Sequence, residues 1–350
     1  MSIYESPDSF PRCFASDNFA GVHPQVMAGI LACNHGHATA YGEDAVTMRA
    51  RIAFSRLFGR DVATHFVFNG TAANNLALMA FAKPYGSVLC SDVAHLNNDE
   101  STAPERFLGM KILPIQSPNG KIPPYALEEV LGRGHGVHAA IPVAVSITQP
   151  TELGTVYSLE ELKTIAAIAH RGGLGVHMDG ARIGCAAASL NATIQEMVVE
   201  SGIDALSFGG TKQGMLCGEA VIFLRDGLGT DFPYWQKHGM QLASKMRFLS
   251  AQFEALLEND LWIENGRKAN AMAQKLLNSV QKLPKIEVTY PVQANSVFAR
   301  IPAGMVEPLQ RETFFWPWDE RKGIVRWMCA FDTEPEDIER FVEILRRFLI

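Results

Sequence analysis

The sequence predicts an α/β protein with a mostly parallel sheet in a large domain and a smaller α+β domain at its C-terminal end. Two observations carry this prediction. Short apolar runs alternate with helix-like segments up to about residue 230, and longer helical stretches followed by a second group of strands then replace that alternation. We expect the large domain over residues 1–235 and the small domain over residues 236–350.

The predicted strands of the large domain are continuous apolar runs, which are typical of strands covered on both faces of a sheet. In chain order they are Thr64 to Phe68, Ser87 to Cys90, Lys111 to Ile115, Ala140 to Ile147, Gly175 to Met178, Ala205 to Phe208 and Glu219 to Leu224. The clearest helix between two of them begins at Ser158. There Glu161 stands three residues on, as in a capping box, and Gly172 can end the helix.

The small domain is predicted from two long helical stretches, three strands and a final amphipathic helix. These are the helices Gln236 to Leu257 and Asp260 to Leu283, the strands Ile286 to Thr289, Ser296 to Ile301 and Ile324 to Phe331, and the helix Asp337 to Leu349. The aromatic stretch Phe314 to Trp318 fits three interpretations: an interface, a wall on the substrate side, or a turn in the small-domain core.

Composition excludes several classes of function. The formal net charge of -6 comes from dispersed residues and offers no basic stripe, so nucleic acid is not an expected partner. The longest apolar run, Ala139 to Ile147, is too short to cross a bilayer. Because Met1 to Arg12 contains no positively charged leader before an apolar stretch, we expect no secretory signal and a cytosolic protein.

The cysteines and histidines give no strong metal or disulfide signal. The six cysteines are scattered, which favours free thiols in a large cytosolic chain. One local cluster, Cys33 to His37, contains a cysteine and two histidines, but no second cluster supplies the remaining ligands of a structural zinc site. We therefore expect no metal.

Polar residues that follow apolar runs are the candidates for chemistry, since ligands of such sheets bind at the carboxyl ends of the strands. Asn69 to Asn75 runs from a strand through small residues into a helix whose first amides could bind phosphate. Taken alone, that segment is better explained as an ordinary strand-to-helix turn capped by Asn69 or Thr71. Asp179 and Arg182 follow another strand, and Lys212 follows the next one, 33 residues after Asp179.

The carboxylate and the lysine together predict pyridoxal phosphate chemistry. A lysine must form a Schiff base with the cofactor aldehyde, and a carboxylate must keep the pyridine nitrogen protonated so that the ring withdraws electrons. The alternative is a surface ion pair between Asp179 and Arg182 beside a solvated loop lysine. His95, beyond the end of a fourth strand, could lie against the flat ring, although an isolated histidine is more often structural.

Over nearly its whole length the sequence resembles the low-specificity threonine aldolases, in the β-eliminating lyase group of fold type I pyridoxal phosphate enzymes. The motifs that carry the resemblance are Ser16-Asp17-Asn18, Tyr41 to Asp44, Gly70 to Asn74, His95 with Glu100, Val176 to Arg182, and Ser207 to Lys212. The resemblance implies pyridoxal 5'-phosphate as cofactor and a homodimer or homotetramer with active sites shared between subunits.

The resemblance also implies a role for each matching residue. For the cofactor, Lys212 resembles the Schiff-base lysine, Asp179 resembles the pyridinium partner, His95 resembles the residue stacked on the ring, and Gly70 and Thr71 resemble the phosphate ligands. For the substrate, Ser16, Arg182 and Arg326 resemble the ligands of the carboxylate, and His138 resembles a second active-site histidine that faces the β-substituent. Arg247 resembles an arginine directed toward the phosphate from a neighbouring subunit. Thr211 stands where serine commonly precedes the lysine, and Leu242 to Lys245 replaces a glycine-rich run. Such variants resemble a phenylserine-aldolase-like branch.

The function that follows is cleavage of β-hydroxy-α-amino acids such as threonine, allo-threonine or phenylserine to glycine and an aldehyde. The base that removes the β-hydroxyl proton could be His95, His138 or a bound water. β-Elimination or transamination on the same fold is the nearest alternative, since one fold and cofactor serve many reactions. A catalytically silent binding protein is a further alternative, against which the presence of Lys212, Asp179 and His95 argues.

Overall fold

The computed structural model describes residues 12–132, 134 and 136–349. The predicted absence of a leader in Met1 to Arg12 therefore concerns residues that, except for Arg12, lie outside the described part of the chain. No helix within the described ranges is both long and apolar enough to cross a bilayer.

The described residues form eleven strands and thirteen α-helices. The strands are β1 Ala63–Val67, β2 Gly86–Ser91, β3 Lys111–Ile115, β4 Ile141–Thr148, β5 Gly175–Gly180, β6 Ala205–Gly209, β7 Glu219–Phe223, β8 Glu287–Val288, β9 Ser296–Arg300, β10 Trp316–Asp319 and β11 Ile324–Met328. The helices are α1 Pro24–Ala32, α2 Ala45–Phe58, α3 Gly70–Met79, α4 His95–Asn98, α5 Ala103–Leu108, α6 Pro124–Gly132, α7 Leu159–Arg171, α8 Ile183–Leu190, α9 Phe232–His238, α10 Arg247–Leu257, α11 Leu261–Val280, α12 Val306–Glu312 and α13 Pro335–Leu349.

Strands β1 to β7 form one sheet in the order β1-β7-β6-β5-β4-β2-β3. The neighbours among β2 to β6 pair in parallel, whereas β7 is antiparallel to both β6 and β1. The predicted α/β class with a mostly parallel sheet is confirmed, and each predicted strand of the large domain is present. Because β7 is reversed, β1 runs in the same direction as β6, and six carboxyl ends meet at one edge of the sheet.

The central strands of the large sheet carry charged residues only at the edge where the six carboxyl ends meet, namely Asp179 near the end of β5 and Glu219 at the start of the reversed β7. Every residue of β5, β6 and β7 is buried, as expected for strands covered by helices on both sides. Helix α7 begins with the predicted capping box: Glu161 N–H donates to Ser158 Oγ at 3.1 Å and Ser158 N–H donates to Glu161 Oε2 at 2.7 Å. This capping box fixes the residue at which α7 begins.

One predicted helix is wrong. The stretch Gln236 to Leu257 is broken, because α9 ends at His238 and α10 begins only at Arg247. Met240 adopts a left-handed φ of 61° just after Gly239, a conformation that cannot continue a right-handed helix. The apolar spacing alone did not show this break.

Strands β8 to β11 form a second, antiparallel sheet in the order β10-β11-β9-β8. Strand β10 comes from the aromatic stretch and was not predicted. Its Pro317 lacks an amide hydrogen, which is tolerated on an edge strand. Helices α11 and α13 cover the sheet, with Leu276, Trp327 and Phe341 in one buried cluster. This is the expected smaller α+β unit at the C-terminal end.

The boundary predicted at residue 235 remains a prediction. Helix α10 follows that position, yet its Leu249, Phe253 and Leu256 are buried in the same hydrophobic cluster as Phe66 and Phe208 of the large sheet. The two sheets are therefore joined through a helix whose apolar face belongs to the large core.

Candidate active site

A cleft of about 620 Å³ opens at the carboxyl edge of the large sheet, between that edge and the small sheet. Its charged and polar lining includes Ser16, His95, Glu152, Arg182, Lys212 and Arg326. The structure thus brings together residues that are more than 300 positions apart in the sequence. Five of these six are residues that the sequence analysis selected.

Lys212 stands in a 3-10 turn, Thr211–Gln213, three residues after β6 ends at Gly209. The turn is held by its last residue: Gln213 Oε1 accepts from Gly184 N–H at 2.8 Å, and Asn265 Nδ2 donates to the Gln213 carbonyl at 2.8 Å. The nearby charge of Arg182, together with burial, lowers the pKa of Lys212. A lysine with a lowered pKa is more readily the free amine that attacks a carbonyl.

Asp179 lies on β5, the strand next to β6, and is 7% exposed. Its Oδ2 accepts from Asn74 Nδ2 at 2.8 Å and its Oδ1 accepts from Ala181 N–H at 2.9 Å. These two donors fix the carboxylate in one orientation at the end of its strand.

His95 begins α4 just after β2, and its Nδ1 lies 3.0 Å from Glu100 Oε1. The hydrogen bond to Glu100 raises the pKa of His95 above its ordinary value. Glu100 also accepts from Asn74 Nδ2 at 2.9 Å and from Asn75 Nδ2 at 3.1 Å. Asn74 consequently links the His95–Glu100 pair to Asp179.

Arg182 is paired with Asp17. Its Nε and Nη2 donate to the two carboxylate oxygens of Asp17 at 2.5 Å and 2.8 Å. Burial alone would lower the pKa of Arg182, but the charge and hydrogen bonds of Asp17 raise it. The alternative of a surface pair between Asp179 and Arg182 is wrong, because each of the two has a different hydrogen-bond partner and Asp179 is buried.

Arg326, on β11, faces the cleft from the small sheet. Its Nη2 donates to the Ala15 carbonyl at 3.4 Å and its guanidinium lies 5.6 Å from the centre of the Trp318 ring. Its buried Nε has no hydrogen-bond partner in the described part of the chain. Burial, followed by the charge of Arg182, lowers the pKa of Arg326 to about 10. The free N–H can serve an anionic ligand.

Ser16 and the first residues of α3 are the remaining predicted site residues at this edge of the sheet. Ser16 is 8% exposed, and its Oγ accepts from Asn18 N–H at 3.1 Å. At α3 the Asn69 side chain caps the helix by accepting from Ala72 N–H at 2.9 Å. The amides of Gly70 and Thr71 are the first of the helix, where no intrahelical acceptor exists. A Cβ added at Gly70 would meet nothing within 4 Å, so the space beside it is open.

Two predicted site residues lie elsewhere in this chain. His138 precedes β4, and that strand of 8 residues, at about 3.3 Å per residue, places it about 26 Å from the carboxyl edge. Arg247 begins α10 and donates to the carbonyls of His35 and Gly36 at 3.5 Å each. The structure therefore does not bring either residue to Lys212 within one chain.

The chain is similar to known proteins over most of its length. A sequence model of the β-eliminating lyases matches residues 14–303. The chain belongs to the β-eliminating lyase family. It is 43% identical, over 95% of its length and 96% of the relative, to a low-specificity L-threonine aldolase from a Pseudomonas species. It is 42% identical to the Pseudomonas aeruginosa protein of the same name, with the same coverage of both chains.

A solved structure agrees with the sequence comparison. The threonine aldolase of Leishmania major superposes with a TM-score of 0.91 at 29% identity, covering 97% of this chain and 100% of that one. The resemblance inferred from the motifs is therefore confirmed, and so is the fold type I class. This β-eliminating lyase has the large mixed sheet and small antiparallel sheet that the class implies.

Glu152 of this β-eliminating lyase was not predicted from the sequence. Asn74 and Asp17 were part of the motifs, but no role was predicted for either. Glu152 lies four residues after the end of β4, and its Oε1 accepts from His95 N–H and from Thr148 Oγ1, each at 2.8 Å. The rule that directed attention to polar residues after apolar strands applies to Glu152 as well. Applied to β4, it would have found this residue.

Proposed function

We propose that the protein is a pyridoxal phosphate-dependent aldolase, a carbon–carbon lyase that cleaves threonine, allo-threonine or phenylserine type amino acids to glycine and an aldehyde. The observation that carries the proposal is the placement of Asp179 and Lys212 at the ends of two adjacent strands, where Lys212 lines a cleft that Arg326 also lines from the small sheet. The names and extensive similarity of the Pseudomonas relatives support the same reaction.

The residues present fit the cofactor. Lys212 would hold it covalently, Asp179 would face its ring nitrogen, His95 would lie over the ring, and the amides of Gly70 and Thr71 would bind its phosphate. The open space at Gly70 and the two donors that orient Asp179 support this fit. When bound, pyridoxal phosphate withdraws electrons from the bonds to the substrate's Cα.

Ser16, Arg182 and Arg326 would bind the substrate carboxylate. Arg182 already has its charge balanced by Asp17, so it contributes mainly orientation. Arg326 carries a guanidinium with an unpaired N–H, so it contributes the larger share of binding energy. Holding the carboxylate fixes the rotation about Cα and thereby selects which bond is broken.

Arg247 and His138 would act in sites formed between subunits of a homodimer or homotetramer. Their distance from Lys212 within the chain supports that arrangement over an intrachain role, and Arg247 would face the phosphate of a neighbouring cofactor. We also propose a cytoplasmic location. Size measurement by light scattering tests the oligomer, since a monomer with full activity would contradict shared sites.

The first experiment is an absorbance spectrum of the purified protein, followed by assay with threonine, allo-threonine and phenylserine. A visible cofactor band with formation of glycine and the matching aldehyde is expected. Pyruvate and ammonia from serine would indicate β-elimination instead, and a stoichiometric keto acid would indicate transamination. A protein that pyridoxal phosphate cannot reconstitute would contradict the cofactor assignment.

A further inference from the structure

Glu152 is an acidic residue of the cleft lining to which the proposed function gives no role, and its position is well fixed. It lies in the loop between β4 and α7, which is closed at its base by Gln149: Nε2 donates to the Tyr157 carbonyl at 2.9 Å and Oε1 accepts from Tyr157 N–H at 3.0 Å. Within the loop, Thr151 N–H donates to the Thr155 carbonyl at 2.8 Å. Glu152 is thus held beside His95 by a closed loop.

The two carboxyl oxygens of Glu152 differ in their surroundings. Oε1 takes the His95 amide and the Thr148 hydroxyl, both at 2.8 Å. Oε2 is buried and has no hydrogen-bond partner among the described residues. A buried acceptor without a partner is unfavourable, so a donor from a ligand in the cleft would be favoured there. A hydroxyl group is such a donor.

Several titratable groups surround Glu152. Asp179 faces it from β5, Cys90 from β2, and Tyr157 from the end of its own loop. The other charged groups that line the same cleft are His95, Asp99, Arg182, Lys212 and Arg326. Burial raises the pKa of Glu152 to about 7, despite the donors on Oε1. Burial also raises the pKa of Cys90 to about 12 and that of Tyr157 above its usual value, so both stay neutral near pH 7.

The other candidates for the base fit the geometry less well. Nδ1 of His95 is bonded to Glu100, which favours the protonated imidazolium, a form that cannot accept a proton. Within one chain, His138 precedes β4 and lies at the opposite edge of the sheet, so it would reach only the site of a neighbouring subunit, whereas Glu152 belongs to the same cleft as Lys212. Glu152 lines the cleft, and its Oε2 is an acceptor without a hydrogen-bond partner among the described residues.

We propose that Glu152 is a further catalytic residue, whose Oε2 accepts the proton of the substrate's β-hydroxyl group. The β-hydroxyl O–H bond breaks as the proton joins Oε2, and the oxygen's electron pair becomes the second bond of the aldehyde carbonyl while the Cα–Cβ bond breaks. When bound, pyridoxal phosphate would supply the acceptor for the electron pair of that bond. One proton added at Cα completes glycine and balances the proton that Oε2 takes from the hydroxyl group, so no net proton is gained or lost. This inference rests on the proposed aldolase function.

The test compares two partial reactions of the cofactor-loaded enzyme, because exchange of the glycine Cα hydrogen involves no β-hydroxyl group. In Glu152→Gln, aldehyde formation from phenylserine should fall about 100-fold or more. The visible band, the Kd for glycine from titration of that band, and deuterium exchange at glycine Cα measured by NMR should stay within about threefold of wild type. Glu160→Gln, an exposed carboxyl at the start of α7, is the matched control and should change none of them.

The pH profile gives an independent readout. A base acts only when ionised, so wild-type kcat should rise with pH through about 7 and then level off, whereas Glu152→Gln should lose this rise. Thr148→Val removes one donor from Oε1, which disfavours the carboxylate, and should move the rise to higher pH with the same maximal rate.

Three results would overturn the inference: cleavage by Glu152→Gln at the wild-type rate, loss of glycine exchange together with cleavage, or a Thr148→Val profile that does not move. A wild-type enzyme that carries the cofactor but forms neither glycine nor aldehyde would contradict the proposed function itself. That outcome is seen before any variant is made, so the two failures are distinguishable.

Discussion

The two walls of the cleft differ in how their charged groups are paired. On the wall formed by the large sheet, all four carboxylate oxygens of Asp179 and Glu100 accept hydrogen bonds. On the wall toward the small sheet and the loop after β4, Arg326 Nε and Glu152 Oε2 are buried without partners in the described part of the chain. The carboxylates of the first wall are thus fully paired without a ligand, although the amide oxygens of Asn74 and Asn75 beside them lack partners among the described residues. The second wall has an unpaired atom on each of its two charged groups, and a ligand could satisfy both.

This difference suggests a division of labour. Fully paired groups are rigid and suit a permanently bound cofactor, since their orientation is set before binding. Unpaired groups gain hydrogen bonds each time a substrate enters and lose them when the product leaves. Substitutions on the large-sheet wall should therefore change the rate of the chemical step, and those on the opposite wall should change substrate affinity or proton transfer.

Lys212→Ala should have the largest effect. Without the amine at the end of β6, we expect loss of the visible cofactor band and a fall in aldehyde formation of about 10³-fold or more, because the covalent attachment has no other donor. Lys163→Ala, on the exposed face of α7, is the control and should behave as wild type. Full turnover by Lys212→Ala would remove this lysine from the mechanism.

Asp179→Asn should have the second largest effect, with kcat lower by about 100-fold and KM changed little. The amide cannot keep a ring nitrogen protonated, and it places a neutral group beside the Asn74 amide. Steady-state kinetics with threonine measure both constants. The exposed Asp226→Asn provides the control, and an equal loss in both variants would mean that the effect is not local to the wall.

Arg326→Ala should raise KM for amino-acid substrates by about 10- to 100-fold, with a smaller change in kcat, since it removes a charge-assisted hydrogen bond to the carboxylate. Arg300→Ala, on the neighbouring strand β9 and paired with Glu287 at the surface, should leave KM unchanged. A fall in kcat with KM unaltered would contradict the contrast between the two walls.

Glu100→Gln should have the smallest effect. In the wild type, the pKa of His95 is higher in the folded protein than in the unfolded chain, where it is about 6.5. The His95–Glu100 pair therefore contributes its full stability at pH values below about 6.5. That contribution is lost as the pH rises through the raised pKa of the folded protein. His95 is partly exposed, so the change in free energy of unfolding should be below about 1 kcal/mol. Urea unfolding at several pH values measures it, and an equal pH dependence in both proteins would contradict the assignment.

Local sequence patterns predicted much of this site because the chemistry lies next to strand ends. Asp179 directly ends an apolar run, and Lys212 follows another within a glycine-flanked turn, so a rule about strand ends found both. His138 was selected by its distance to a following strand, yet it precedes β4 and lies at the opposite edge. A linear distance does not distinguish the two ends of a strand.

The sequence by itself determined which segments are buried strands and which residues end them, because burial on both faces requires continuous apolar runs and loops tolerate polar groups. Tertiary structure alone decided the direction of β7, since an apolar run reads the same in either direction. It also decided the pairing of Arg182 with Asp17, 165 positions away, and the free oxygen of Glu152. Hydrogen-bond partners depend on distances of about 3 Å in space, which folding sets and residue order does not.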